Sequence, residues 1–285
     1  MTAPRSQPAS GRALAVRRQE LITSRLRAQG SVRVADLAVS LDVSEMTVRR
    51  DLDALAERGV LDKVHGGATL RDERSVHEPG FAAKSLLHRQ EKDAIGLAAA
   101  ALVRPGTAIG VTGGTTTFRL ATAITDVANL TVVTNCVHVA EHLHRFPRAD
   151  RTVVLIGGVR TPSDALVGPI AVQALSQLHL DSVFLGVHGM SVRGGFTTPN
   201  LAEAETNRAF VAATQELIVM ADHSKWNLTG MCTIAPLAAA AVLVTDSSIR
   251  PDAEAALAES CGRLIVARAA DSGLADGSRL PKWEV

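Results

Sequence analysis

The residues of this chain best suited to chemistry begin with one short run, Thr112-Gly113-Gly114-Thr115-Thr116-Thr117, set between an apolar stretch ending at Val111 and the helical body Phe118-Arg119-Leu120-Ala121. Glycines allow a ligand close to the main chain, the first turn of a helix has unpaired amides, and threonine hydroxyls add donors. Together these form an anion cradle, and phosphate is the anion expected. The same run also fits a glycine-softened turn with a threonine cap, and spacing alone does not choose between the two. The GKS or GKT ending of a nucleotide P-loop is absent, as is a GxGxxG fingerprint. Further glycine loops, Gly157-Gly158 and Gly186-Val187-His188-Gly189, follow later apolar runs. Downstream, Glu203 and Glu205 fall on a helical segment, and Asp222, His223 and Lys225 follow another apolar run. Acids, a lysine and a phosphate cradle suit a small phosphorylated polyol, the cradle gripping phosphate and the acids gripping hydroxyls.

A second constellation lies near the N-terminus. In Val34 to Leu61, Val34, Leu37, Ala38 and Leu41 recur at helical spacing, the pattern breaks at Asp42-Val43, and Ser44 opens a second run through Val48, Leu52 and Leu55. Ser44 suits an N-cap. With the apolar residues inward, Glu45, Thr47, Arg49 and Arg50 face outward, where they suit a major groove. Two amphipathic helices across a polar turn are also ordinary packing. The segment that follows adds weight to the groove reading: Val60 to Leu70 reads as a hairpin turning at Gly66-Gly67, a wing that brings Lys63 and His65 toward a phosphate backbone.

These groups need elements to hold them. A helix over 14–28 completes a three-helix platform. Strands are expected at Ala108 to Val111, Leu130 to Thr134, Thr152 to Ile156, Ser182 to Val187, Glu216 to Met220, Ala241 to Val244 and Leu264 to Ala267. Short apolar runs alternating with helices indicate an α/β sheet of largely parallel strands, whose ligands bind beyond the carboxyl ends of the strands. The expected organisation is a flexible tail (1–13), a winged helix-turn-helix (14–71), a linker (72–90), an effector-binding and oligomerisation domain (91–269) and a polar tail (270–285).

Composition bounds this reading. A length of 285 residues with 46% hydrophobic content suits two domains. The net charge of +1 hides an asymmetry, since residues 1–71 carry 12 basic and 8 acidic side chains. That margin supports nucleic-acid binding only weakly. Three scattered cysteines form no CxxC pair and argue against disulfides or zinc. His138 and His142 share a helical face, yet lack further ligands at metal spacing; a solvated helix is the expectation, with no metal and no cofactor. No signal peptide or membrane span is evident, so a cytoplasmic protein is expected.

The run VSEMTVRRDLDALAERGVLDKVHGGA resembles the signature of the DeoR family of bacterial transcriptional regulators, and TGGTTT, TVVTN, IGGVR, ALVGP, GGFTTPN, EAE and ADHSKW resemble, in order, the landmarks of that family's sensor domain. The resemblance implies an N-terminal winged helix-turn-helix followed by a domain similar in fold to ribose-5-phosphate isomerase. It implies a repressor of carbohydrate genes that binds double-stranded operator DNA as a homo-oligomer, dimer or tetramer, under control of a phosphorylated sugar or polyol. By analogy Gly113 to Thr117 would bind phosphate, Asn135, Gly157 and Gly158 would line the pocket, and Glu203, Asp222 and Lys225 would contact the sugar, with Lys92 at a commonly basic position. Ser44, Glu45, Thr47, Arg49, Arg50, Lys63, His65, Gly66 and Gly67 would face DNA. The chain departs from the family pattern at Thr112 and His188, where many relatives carry aspartate, and at Asn207, where many carry lysine. These losses weaken the alternative, a sugar-phosphate isomerase with an accessory DNA-binding domain, and no catalytic residue is expected.

Overall fold

The computed structural model describes residues 9–29, 31–57, 60–64, 66–70 and 80–268. The chain divides into two compact units, Met1–Ser75 and Val76–Val285.

The first unit runs α1 (Ala9–Gln29), β1 (Ser31–Arg33), α2 (Val34–Leu41), α3 (Glu45–Glu57), β2 (Leu61–Val64) and β3 (Gly67–Leu70). Ile22, Leu26, Leu37, Val48, Leu52, Leu55 and Leu61 are buried together as its core. α1 starts at Ala9, so the part of the expected tail at 9–13 is helical; alanine and arginine favour helix there and only Gly11 opposes it. Residues 1–8 lie outside the described residues. α2 ends on Asp42 in the left-handed region, φ 51°, which aspartate tolerates better than most side chains. The Ser44 hydroxyl then accepts from the Thr47 amide at 3.2 Å and caps α3. The wing strands pair as expected, but β3 also pairs with β1, making a sheet of order β1-β3-β2. A three-residue strand leaves too little alternation to read in sequence.

The second unit continues α4 (Phe81–Leu86), α5 (Arg89–Ala100), β4 (Ala108–Val111), α6 (Thr115–Ala123), β5 (Thr131–Thr134), α7 (Val137–Arg145), β6 (Thr152–Leu155), β7 (Val159–Arg160), β8 (Leu166–Val167), α8 (Pro169–Leu175), β9 (Leu180–Gly186), β10 (Gly189–Ser191), β11 (Gly195–Thr198), α9 (Leu201–Ala212), β12 (Thr214–Met220), β13 (Cys232–Ala235), β14 (Val242–Asp246), α10 (Pro251–Ser260) and β15 (Leu264–Ala267). Residues 81–90, expected as linker, are largely helical: Gly80 precedes a run of helix formers, and Phe81 packs on Phe118 at 5.7 Å between ring centroids. Linker positions 72–79 and the tail 270–285 fall outside the described residues.

The main sheet has seven strands in the order β15-β14-β12-β9-β4-β5-β6. All its pairings are parallel. Every strand therefore ends on the same edge. The chain leaves β4 toward β5 and β6, then returns to place β9 on the other side of β4, so the switch point where α/β sheets bind ligands lies between β4 and β9. The antiparallel sheet β10-β11-β13 and the pair β7-β8 were not expected. β7, β10 and β11 lie in or beside stretches read as glycine-rich loops, β8 and β13 in stretches given no element, and strands of two to four residues show no period.

Candidate functional site

The glycine–threonine run Thr112 to Thr117 follows β4 at the switch point. Thr115 and Thr116 open α6, are buried, and make no side-chain hydrogen bond among the described residues. Their neighbours hold the loop in shape. The Thr117 hydroxyl donates to the carbonyls of Thr112 (2.7 Å) and Gly114 (3.0 Å). The Thr112 hydroxyl accepts from the Gly186 amide at 3.0 Å, tying the loops after β4 and β9. Asn135, after β5, accepts from the Gly113 amide at 2.7 Å and donates to the Leu166 carbonyl at 3.1 Å. Gly113 must be glycine, because a Cβ there would lie 2.6 Å from that of Ala165. Gly158, φ 143°, is equally constrained: its Cβ would stand 2.5 Å from the Val167 carbonyl. Thr112, Gly113, Thr117, Asn135 and Gly158 thus build the walls, leaving Thr115, Thr116 and the helix amides as the open donors.

Asp222, Lys225, Lys92, His88 and His223 stand close together around the loop after β12, while Glu203 has its own partners, Ser163 and Thr198. Asp222, after β12, is fully buried; its Oδ1 accepts from the Ser224 amide (3.1 Å) and hydroxyl, while Oδ2 has no hydrogen-bond partner among the described residues. Burial opposes its charge, yet Lys225, the Ser224 hydrogen bond, Lys92 and His88 outweigh that and hold its carboxyl below the usual range. Lys92 on α5 is buried and donates to the carbonyls of Lys84 (2.8 Å) and Leu87 (2.7 Å). Burial, against the pull of Asp222 and with the push of Lys225, Arg119 and Lys84, brings its amine down to about 8. Burial also lowers His88, despite Asp222. His88 meets His223 edge to face at 5.0 Å, and His223 Nδ1 stands 2.9 Å from Asp246 Oδ1. Glu203, on α9, is buried and accepts from Ser163 (2.5 Å) and Thr198 (3.2 Å). The His188 amide donates to the Thr197 carbonyl at 3.0 Å, and Gly157 stands beside Ile170. His88, Asp246 and Ser163 escaped sequence reasoning: His88 lay in the expected linker, Asp246 ends a strand, and Ser163 reaches Glu203 only through the fold.

The face with His138 and His142 is packed rather than solvated. His138 Nε2 bonds Asp164 at 2.7 Å, and His142 lies 5.5 Å from the Phe118 ring. Phe81, from the segment expected as linker, supplies the cover.

In the first unit α3 exposes Glu45, Arg49 and Arg50, with Thr47 half-buried. Arg49 pairs with Glu45 at 3.1 Å. Met46, overlooked in the sequence, is 62% exposed on the same helix and offers an apolar contact of the kind a thymine methyl accepts. Asp51 on the opposite face is buried and takes Arg18 at 2.5 Å and Gln19 at 3.2 Å, which ties α3 to α1. Lys63 on the wing pairs with Asp53, Gly66 is exposed at the turn with φ 77°, and Gly67 is buried against β1 rather than open to a ligand. His65 lies outside the described residues.

A model of the DeoR-like helix-turn-helix domain matches residues 18–74, and one of the DeoR C terminal sensor domain matches residues 87–247. The chain is 32% identical over 254 residues, 89% of its length and 98% of the relative's, to the uncharacterized HTH-type transcriptional regulator YgbI of Escherichia coli (strain K12). It is 33% identical to the putative aga operon transcriptional repressor of Escherichia coli O157:H7, over 82% of this chain and 87% of that one. Against the transcriptional repressor AccR of Agrobacterium fabrum the identity is 31%, with 82% and 90% covered. Among solved structures, ribose 5 phosphate isomerase A from Neisseria gonorrhoeae overlaps 47% of this chain and 52% of its own at 17% identity, with a TM-score of 0.35, too loose an overlap to bear on function. No helix among the described residues is long and apolar enough to cross a membrane. A DNA-binding unit and a sensor unit in this order, shared along nearly the full length of named regulators, show that the chain belongs to the DeoR family of transcriptional regulators.

Proposed function

We propose that this regulator represses genes of carbohydrate metabolism, and that a phosphorylated sugar or polyol in the cradle weakens its hold on operator DNA. The observation that carries the reading is the pair of buried hydroxyls, Thr115 and Thr116, heading a helix at the switch point with no protein partner among the described residues. Hydroxyls, amides and the positive end of α6 suit a phosphate. Lys92 and Lys225 supply cations, and Asp222 Oδ2 and Glu203 supply acceptors for sugar hydroxyls. Because Thr112 and Asn135 are engaged by backbone, their contribution is shape. Binding is by a homo-oligomer, since one winged helix reads few base pairs and symmetric half-sites supply the remaining affinity.

The test is thermal stabilisation by a panel of phosphorylated sugars and polyols beside their unphosphorylated forms. A shift confined to phosphorylated compounds, and lost in Thr115→Val/Thr116→Val, is expected. Equal shifts with and without phosphate, or an unaffected double variant, would sink the cradle.

A further inference from the structure

We infer that Met46 sets part of the operator sequence: its side chain takes the 5-methyl group of one thymine in the major groove and rejects a base that lacks it. The inference concerns DNA alone and stands whatever the second unit binds. A single exposed apolar side chain is ordinary on a protein surface, and its position is what gives this one meaning. Met46 is the second residue of α3 and is 62% exposed. Counted at about 100° per residue, it lies roughly 150° around the helix from the buried ridge of Val48, Leu52 and Leu55. On the inner side Asp51 takes Arg18 at 2.5 Å and fixes that orientation against α1. In a helix-turn-helix the N-terminal residues of the second helix are the ones that reach base edges. Met46 therefore stands on the outward face, at the end that enters the groove.

Its polar neighbours are already engaged within the protein. Glu45 takes Arg49 at 3.1 Å, one turn along the helix. Asp53, further along the same face, takes Lys63 of the wing. The Ser44 and Thr47 hydroxyls lie 3.0 Å apart, and the Thr47 amide donates to the Ser44 oxygen at 3.2 Å. Two ion pairs and a helix cap thus occupy the side chains on either side of Met46, and each must give up a protein partner before it can bond a base. Met46 gives up only water. A thioether on an unbranched chain adapts its shape to an apolar surface, and on the major-groove edge thymine alone among the four bases presents a methyl group. Arg50, exposed one turn further on, offers the donors that read a guanine edge. The two residues are complementary: the arginine finds acceptors, and the methionine distinguishes bases that no hydrogen bond from arginine can tell apart.

The experiment uses the full chain, with no effector present, and a duplex that the chain selects from a random pool. Each fixed thymine is replaced in turn by deoxyuridine, which lacks only the methyl group, and affinity is read by fluorescence anisotropy at two salt concentrations. At one thymine position, loss of the methyl should lower wild-type affinity about fourfold, the worth of one buried methyl group. That ratio should be the same at both salt concentrations, because an apolar contact releases no counterions, as a phosphate contact does. Met46→Ala should bind the thymine and deoxyuridine duplexes equally, while the other sequence preferences and the melting temperature stay as in the wild-type chain. Met46→Gln keeps the length of the side chain without its apolar end and should lose the dependence on the methyl in the same way. A packing role for Met46 predicts instead a lower melting temperature and weaker binding to every sequence alike. The inference is overturned by a selected duplex with no fixed thymine, by thymines that all tolerate deoxyuridine, by undiminished dependence on the methyl in Met46→Ala, or by loss of all specific binding in that variant.

Discussion

Lys92 retains its proton up to an ordinary 10.5 when unfolded and releases it near 8 when folded. Between those values the unfolded chain binds more protons, so the cost this buried charge imposes on folding is present in full below pH 8 and is relieved as pH rises toward 10.5. The stability of the wild-type chain relative to Lys92→Met should therefore rise across that window by on the order of 2 kcal/mol, measured by urea unfolding at its two ends; parallel pH profiles would contradict the assignment. A phosphate ester needs the amine charged, so its affinity should fall as pH rises through 8. At the DNA face, Arg50→Ala should abolish sequence-specific binding in an anisotropy titration while leaving stabilisation by ligand intact, and retained specificity would remove Arg50 from the contact surface. Residue types around the cradle were legible before the fold was known, but their division of labour was not. Thr112 is engaged by Gly186 and Ser163 by Glu203, partners far away in sequence, so nothing local separates a threonine that shapes the loop from one that faces the ligand.

Among the elements, the helices of the DNA-binding unit and the parallel strands were readable because each shows its own period over enough residues. α4, β1, β7 and β8 are too short to do so, and their positions depend on tertiary partners. The wing illustrates how one glycine answers to both levels. Gly67 was expected to give a turn open to DNA; it is also required by packing, since a Cβ there would lie 2.2 Å from the Val32 carbonyl. Gly67→Ala should therefore detach β1 from β3 and lower DNA affinity while the sensor unit still responds to phosphate, a result separable by anisotropy and thermal shift on the same sample. Ser44→Ala tests the entry to α3, and loss of its cap to the Thr47 amide should cost about 1 kcal/mol of stability. An unchanged unfolding midpoint would show that the cap is replaced by water.

At the scale of the whole molecule, the two units act together only if ligand and operator bias the same equilibrium. That requirement is quantitative: whatever factor the ligand takes from operator affinity, the operator must take from ligand affinity. The basic excess of the first 71 residues is small, so specificity must come from paired recognition helices more than from bulk charge. The decisive measurement uses a duplex that the purified chain selects from a random pool, titrated with and without the phosphorylated compound that stabilises the protein, alongside the reverse titration of that compound with and without duplex. The account predicts weaker DNA binding in the presence of the compound, and a matching loss of ligand affinity in the presence of DNA. Identical DNA affinity with the cradle empty and filled would contradict it.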